Sequence, residues 1–209
     1  YVRRVLAYSR TIDSPNQLAV EILEGRRKDE DGVLAAWRAI RGTFKPRTVA
    51  VWHDDSVLKL AAEWGKTPGI IWTEHSLFGR KLAQLTGLSY YGQKGFNAEG
   101  QYIEDGDPKR AIIASIDANR DGKNLQHKWS RNLLVTPPDG ADAWEQTIAR
   151  THRMGQMADE VTVDVLIGCR EHIQAWASAL EGAAAVRDTI GGEQKLLLAD
   201  TNGVTSLSE

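Results

Sequence analysis

Five short apolar runs divide the chain from residue 48 onward: Thr48–Trp52, Gly69–Thr73, Ala111–Ile116, Asn132–Thr136 and Val161–Ile167. Each is nearly continuous rather than alternating, so a strand built from it has no side that water can wet. Such strands are stable only when both faces of their sheet are covered. The intervening stretches, near 54–64, 76–86, 141–152 and 170–187, have helical period and are long enough to cross back over the sheet. The expected fold is therefore α/β: an open, mostly parallel sheet with helices on both faces, spanning residues 48–190.

Two flanks do not follow this rhythm. Residues 1–47 read as a helical segment, with Ser14-Pro15 as cap and first helical residue and Leu18, Ile22 and Leu23 on one face. The charged run Arg26–Gly32 interrupts it, and the apolar stripe resumes at Val33, Leu34, Trp37 and Ile40. Residues 191–209 read as a tail with one short strand, Lys195–Ala199. Among seven tryptophans, Trp37, Trp52, Trp64, Trp72 and Trp176 sit at apolar phases and are expected in the core. Trp129 and Trp144 lie in polar surroundings and are candidate stacking platforms.

Composition narrows the function classes. A hydrophobic fraction of 42% with 26% charged residues is that of a globular protein. The sequence contains no membrane-spanning run, and its start at Tyr1 lacks a signal-peptide pattern, so a cytoplasmic protein with no membrane partner is expected. A start without Met, in mid-pattern, suggests a piece of something longer. One cysteine, Cys169, excludes an internal disulfide and reads as a small, partly buried residue after a strand. A net charge of −2 gives no bulk case for nucleic acid, although residues 1–47 are modestly basic.

In open α/β sheets ligands gather beyond the carboxyl ends of the strands. That selects Thr73–Ser76, Ser115–Asn124 and Thr136–Gly140. In the segment Trp144–Gln156, the spacing of Gln146, Arg150 and Arg153 by four and three puts all three on one helix face, with a stop at Gly155. Two guanidiniums there repel unless an anion or several carboxylates separate them, and the planar fork of arginine suits a polyphosphate. The same pair fits a salt-bridged, solvated face equally well. In Ile112–Leu125 a strand enters a polar loop with Gly122, followed by a short helix, and free N–H groups there could cradle a phosphate or a sugar hydroxyl.

These two segments carry a resemblance. Ile112–Leu125 resembles the strand-loop element of superfamily 2 helicases, in which a small polar pair ends the strand and Gly-x-Asn/Asp-Leu follows. Trp144–Gln156 resembles the Gln-x-x-x-Arg-x-His-Arg-x-Gly-Gln element of the same superfamily. Its ending is like that of Swi/Snf-like ATPases and of phage and bacterial DEAD/DEAH-type helicase ATPases. Gly69–Ser76 resembles the strand that opens the nucleic-acid face of the C-terminal lobe, and Leu88–Gly92 the short strand and glycine after it. The resemblance covers about residues 48–168.

It implies a RecA-like C-terminal motor lobe of an ATP-dependent DNA helicase or translocase, in a bacterial or phage-infected cell. Arg153 and Arg150 would act as arginine fingers. Gln146, Gly122 and Asn124 would face ATP or the interlobe cleft. Ser115, Thr73, His75 and Gly92 would face nucleic acid. ATP and Mg²⁺ would be held mainly by an N-terminal RecA-like lobe of the same polypeptide and not by this chain alone, which would then be inactive as a fragment. Ile116 departs from the pattern: a threonine that contacts a phosphate is common at that place, and an isoleucine cannot donate that bond, so either neighbouring Ser115 substitutes or the contact is absent.

Other signals fall away. Gly65-Lys66-Thr67 lacks the glycine five positions earlier and has strand and helix in reversed order for a phosphate loop. Asp159-Glu160 precedes a strand instead of ending one, which reads as turn chemistry and not as a Mg²⁺ site. His53-Asp54-Asp55 reads as a helix N-cap rather than a metal site. Two rival functions stand beside the motor: a non-catalytic interaction or nucleic-acid-docking module with a helicase-like fold, and an unrelated nucleotide-using α/β enzyme such as a nucleotide-sugar transferase.

Overall fold

The computed structural model describes residues 15–29, 32–43, 49–119 and 122–200. The chain divides into two compact units, Tyr1–Ala50 and Val51–Glu209. In the first, helix α1 spans Pro15–Leu23 and α2 spans Val33–Arg41. Ser14, the expected cap of α1, lies outside the described residues. The cap of α2 comes from the charged run: both carboxylate oxygens of Asp29 accept N–H bonds, from Leu34 and Ala35, at 2.9 Å each. Leu18 and Leu34 are buried, while Leu23 is exposed.

The second unit contains the sheet. In order it has α3 (Ser56–Trp64), β1 (Gly69–Thr73), α4 (Ser76–Thr86), β2 (Tyr90–Tyr91), β3 (Ala111–Ser115), α5 (Ile116–Asn119), β4 (Arg131–Leu134), α6 (Ala141–Ile148), β5 (Thr162–Val165), α7 (Arg170–Ile190) and α8 (Lys195–Leu198). The five strands are all parallel in the order β2-β3-β1-β4-β5. Ile70 and Trp72 face one way with Ile112, Ala114 and Leu134, against Trp144, Ile148, Ala179 and Ala183 of α6 and α7. Ile71, Ile113 and Leu133 face the other way, against Leu58, Ala61 and Leu82 of α3 and α4. The central strands are buried on both faces because alternate residues feed two separate cores. This is the open α/β architecture with a parallel sheet expected of the apolar runs.

Several elements differ from expectation. Val49, Val51 and Trp52 are exposed and form no strand; Thr48 lies outside the described residues. Their run is short and lacks a partner strand, and Trp52 lies beside Lys81 and Phe78 instead of in the core. Lys195–Leu198 is a helix, not a strand. Leu196 enters the first core, and Glu145 of α6 takes the N–H of Lys195 at 2.7 Å as well as pairing with its ammonium. Leu197 packs against the same core, and these apolar contacts with the side-chain anchor seat one helical turn against α6 and α7. Trp129 and Trp144 are core residues, 3% and 1% exposed. Their indole N–H groups bond the carbonyls of Arg110 and Pro138, which lets polar neighbours surround a buried ring. Cys169 is exposed at the N-cap position of α7. Among the described residues no helix is long and apolar enough to cross a membrane.

One polar network lies inside the first core. Asn132 on β4 accepts from the Trp72 indole at 3.0 Å and donates to the Thr151 hydroxyl at 2.9 Å and to the Thr162 carbonyl at 3.1 Å. All three side chains are buried. Asn132→Leu preserves volume but strands these partners in an apolar core. It should cost about 1–3 kcal/mol, read as a lower midpoint in urea unfolding, whereas an unchanged midpoint would show the network to be dispensable.

Candidate functional site

Helix α6 leaves the carboxyl end of β4 and runs back beside it, so its last turn arrives where β4 begins. It stops at Ile148, with Ala149 as its C-cap residue. The chain then tightens: Arg150 N–H bonds Thr147 O at 3.2 Å and Thr151 N–H bonds Ile148 O at 3.1 Å. Thr151 is fully buried against Asn132, and this pull takes the backbone out of the helix before the motif is complete. Arg150 and Arg153 therefore do not share a helix face, as the spacing suggested; they project from the turn beyond it.

That turn is fixed from below. The amide of Gln156 donates to the carbonyls of Trp129 at 3.0 Å and Thr151 at 3.1 Å. Gly155 is not a helix cap but part of the same turn, with φ of 91°, where a Cβ would stand 2.8 Å from the His127 ring. Only glycine satisfies both the backbone angle and the contact.

The two motif segments, separate in sequence, meet here. Leu125 N–H bonds the Arg150 carbonyl at 3.2 Å. The Arg150 Nη1 donates to the Lys123 carbonyl at 3.2 Å and its Nε to the Gln146 carbonyl at 2.9 Å. Arg153 is exposed, and its Nη1 donates to Asn124 Oδ1 at 3.0 Å. Among the described residues Arg153 is in no ion pair. Gln146 contributes through its backbone; its side chain is half-buried. Gly122, two residues before Asn124, is exposed with φ of 66°. The short helix of this segment, α5, precedes Gly122 rather than following it: Ile116 is 2% exposed and packs in the core, and Asn119 donates to the carbonyls of Tyr91 and Ser115. Buried in this way, Ile116 is closed to any phosphate.

A recess of about 370 Å³ adjoins Arg153, lined also by His152, Met154, Gln156, Asp159 and Glu160. Met154 and Met157 are 96% and 88% exposed beside it. Lys123 and Gln156 are the members of this site that motif spacing did not single out. Gln156 was readable only as part of the Gly-Gln ending, and Lys123 only as a neighbour of Asn124.

Thr73, His75, Ser115 and Gly92 lie elsewhere, at the carboxyl ends of β1, β3 and β2. Thr73 is buried, and its hydroxyl donates to the His75 carbonyl at 3.3 Å and accepts the His75 N–H at 3.2 Å. It shapes a turn and faces no solvent, which corrects its assignment to a nucleic-acid surface. His75 is exposed and Ser115 half-buried. Gly92 N–H is taken by the Phe96 carbonyl at 3.1 Å. Glu74, Asp117 and Asp139 also gather at this end. Partial burial of the Glu74 carboxyl is the main cause raising its pKa, with Asp117 and Asp139 adding to it and His75 and His172 opposing. Among the described residues no group of three or more His, Cys, Asp or Glu converges as a metal site.

No family model matches the chain, and no curated protein matches it. Among solved structures it is similar to the C-terminal part of the Fun30 ATPase domain, at 13% identity and a TM-score of 0.46, over 84% of this chain and 62% of that one.

The raised pKa of Glu74 has a sign that can be checked. Below the ordinary value of 4.5 the group is protonated folded or unfolded; as pH rises past it, the unfolded chain ionises first and the fold loses stability. Glu74→Gln should therefore melt higher than the parent protein near pH 7, with the gap closing as pH falls below 4.5. A gap that widens toward acid would reverse the assignment.

Proposed function

We propose that this chain is the C-terminal lobe of an ATP-driven helicase or translocase on DNA, whose arginine turn faces ATP held by an N-terminal lobe of the same polypeptide. The observation that carries the reading is the convergence of the two motif segments. Asn124 and Arg153 are hydrogen-bonded, and Arg150 is held by the carbonyl beside Asn124. Spacing alone did not require these two stretches to touch.

The arrangement divides labour between the arginines. Arg150 is half-buried and tied to two backbone carbonyls, so it braces the turn and holds positive charge at its base. Arg153 is exposed with a neutral amide as partner, which an anion can replace at low cost. Bound ATP would supply the phosphoryl group whose negative charge must be neutralised as it transfers. A guanidinium delivered to that charge is worth roughly 10³–10⁵ in rate. Arg153 is the finger, Arg150 its brace and second cation. Gln146 and Gly122 shape the surrounding surface. The exposed methionines beside Arg153 give a companion lobe an adaptable apolar contact.

The DNA track runs over the other end of the sheet, past Ser115, His75 and Gly92. Glu74, Asp117 and Asp139 stand among these residues, so the strand is held there by hydrogen bonds more than by ion pairs.

In the polypeptide that joins this lobe to its nucleotide-holding partner, Arg153→Ala should retain DNA binding and lose most DNA-stimulated ATP hydrolysis, by about 10³-fold. Its melting temperature should stay unchanged because the side chain is exposed. Arg150→Ala should lose both activity and stability. Full turnover in Arg153→Ala would sink the finger assignment, and absence of DNA-stimulated ATP hydrolysis from the parent polypeptide would favour a docking module.

A further inference from the structure

We infer that Glu104, on the segment between β2 and β3 and outside every motif, positions Arg153 through Asn124; this rests on the reading of Arg153 as the finger. The chain of contacts is short and explicit. A carboxylate oxygen of Glu104 accepts the Asn124 backbone N–H at 2.6 Å. Asn124 Oδ1 in turn accepts from Arg153 Nη1 at 3.0 Å. The first bond is charge-assisted and short, the kind that fixes a backbone position.

Glu104 is well placed to serve as an anchor because its own position is fixed. It lies in a 3-10 turn, Ile103–Asp105, and Ile103 is fully buried in the first core. Two residues before it, Tyr102 accepts from the Lys123 ammonium, which lies over its ring at 4.4 Å from the centroid. Two residues of one short stretch, on either side of the buried Ile103, therefore hold consecutive residues of the motif loop: Tyr102 holds Lys123, and Glu104 holds Asn124. Lys123 also lends its carbonyl to Arg150. Both arginines are thus registered against a loop that is itself clamped from outside the motifs.

Arg153 is otherwise exposed on a turn, with many rotamers open to it. Asn124 selects the rotamer that leaves the far edge of the guanidinium toward solvent, and Glu104 keeps Asn124 where that selection works. Glu104 touches no reacting atom. It is a positioning residue, and its loss should appear in turnover and not in nucleotide affinity, since misplacement by about 1 Å can cost on the order of 10²-fold.

The test uses the whole motor polypeptide and, separately, this chain labelled at arginine side chains. Glu104→Ala should lower DNA-stimulated kcat about ten-fold or more and leave KM for ATP within about two-fold. Glu104→Gln keeps an acceptor for the Asn124 N–H and should restore most of the rate. In an Arg153→Ala background Glu104→Ala should cost nothing further. Asn124→Ala, at an exposed position, should reproduce the loss should Glu104→Ala fold poorly. Unchanged kcat in both alanine variants, or an equal loss with and without Arg153, would overturn the relay. If Arg153→Ala keeps full turnover, the finger itself fails, and the relay is then judged by nuclear magnetic resonance of the Arg153 Nε–H in this chain. A fall in its order on Glu104→Ala upholds the relay; unaltered order overturns it.

Discussion

A single buried amide, that of Asn132, ties the sheet to the site. An asparagine in the middle of a buried strand is costly unless every polar atom is used. Here its oxygen takes the Trp72 indole of β1, and its nitrogen serves both the Thr162 carbonyl of β5 and the Thr151 hydroxyl of the arginine turn. Three strands and the motif turn are thereby held at one point. The exit from α6 follows from this. The backbone tightens after Ile148 with Thr151 bonded to Asn132, and Arg150 and Arg153 stand beside Lys123 and Asn124.

The direction of α6 has a second consequence. Parallel strands require their helices to run antiparallel to them, so the end of α6 lies at the opposite end of the sheet from the loops that follow the strands. Arginine and lysine converge where β4 starts, and Glu74, Asp117 and Asp139 stand where β1, β3 and β4 finish. The rule that ligands gather at carboxyl ends points to the acidic end. The arginine turn falls at the other end, away from the place where that rule puts a ligand.

What the sequence made legible was set by what its periodicity encodes. Unbroken runs such as Gly69–Thr73 and Ala111–Ile116 specify strands buried on both faces, and the sheet contains them. Val49–Trp52 has the same local pattern and no strand to pair with, a fact that lies in tertiary structure. The helical spacing of Gln146, Arg150 and Arg153 was read as one face because period carries no information about Thr151, whose buried hydroxyl bond ends the helix. Trp129 and Trp144 looked exposed from their neighbours, yet each indole finds a carbonyl inside. Glu104 carried no signal at all. A lone glutamate between short polar stretches acquires meaning only when the fold brings it to Asn124, twenty residues on.

The two arginines also differ in a way their shared motif hides. A guanidinium bonded to two backbone carbonyls has two of its donors committed to the fold, so moving it would loosen the turn. A guanidinium bonded to one amide oxygen keeps most of its donors and all of its charge for a second partner. A rigid brace and an adjustable tip, three residues apart, answer opposite demands. On the proposed reading the tip would be prealigned enough that little entropy is lost on meeting an anion, and loose enough to exchange an amide for it. Asn124 meets both demands because its oxygen is a weaker partner than any carboxylate. A carboxylate at that position would neutralise the tip and hold it.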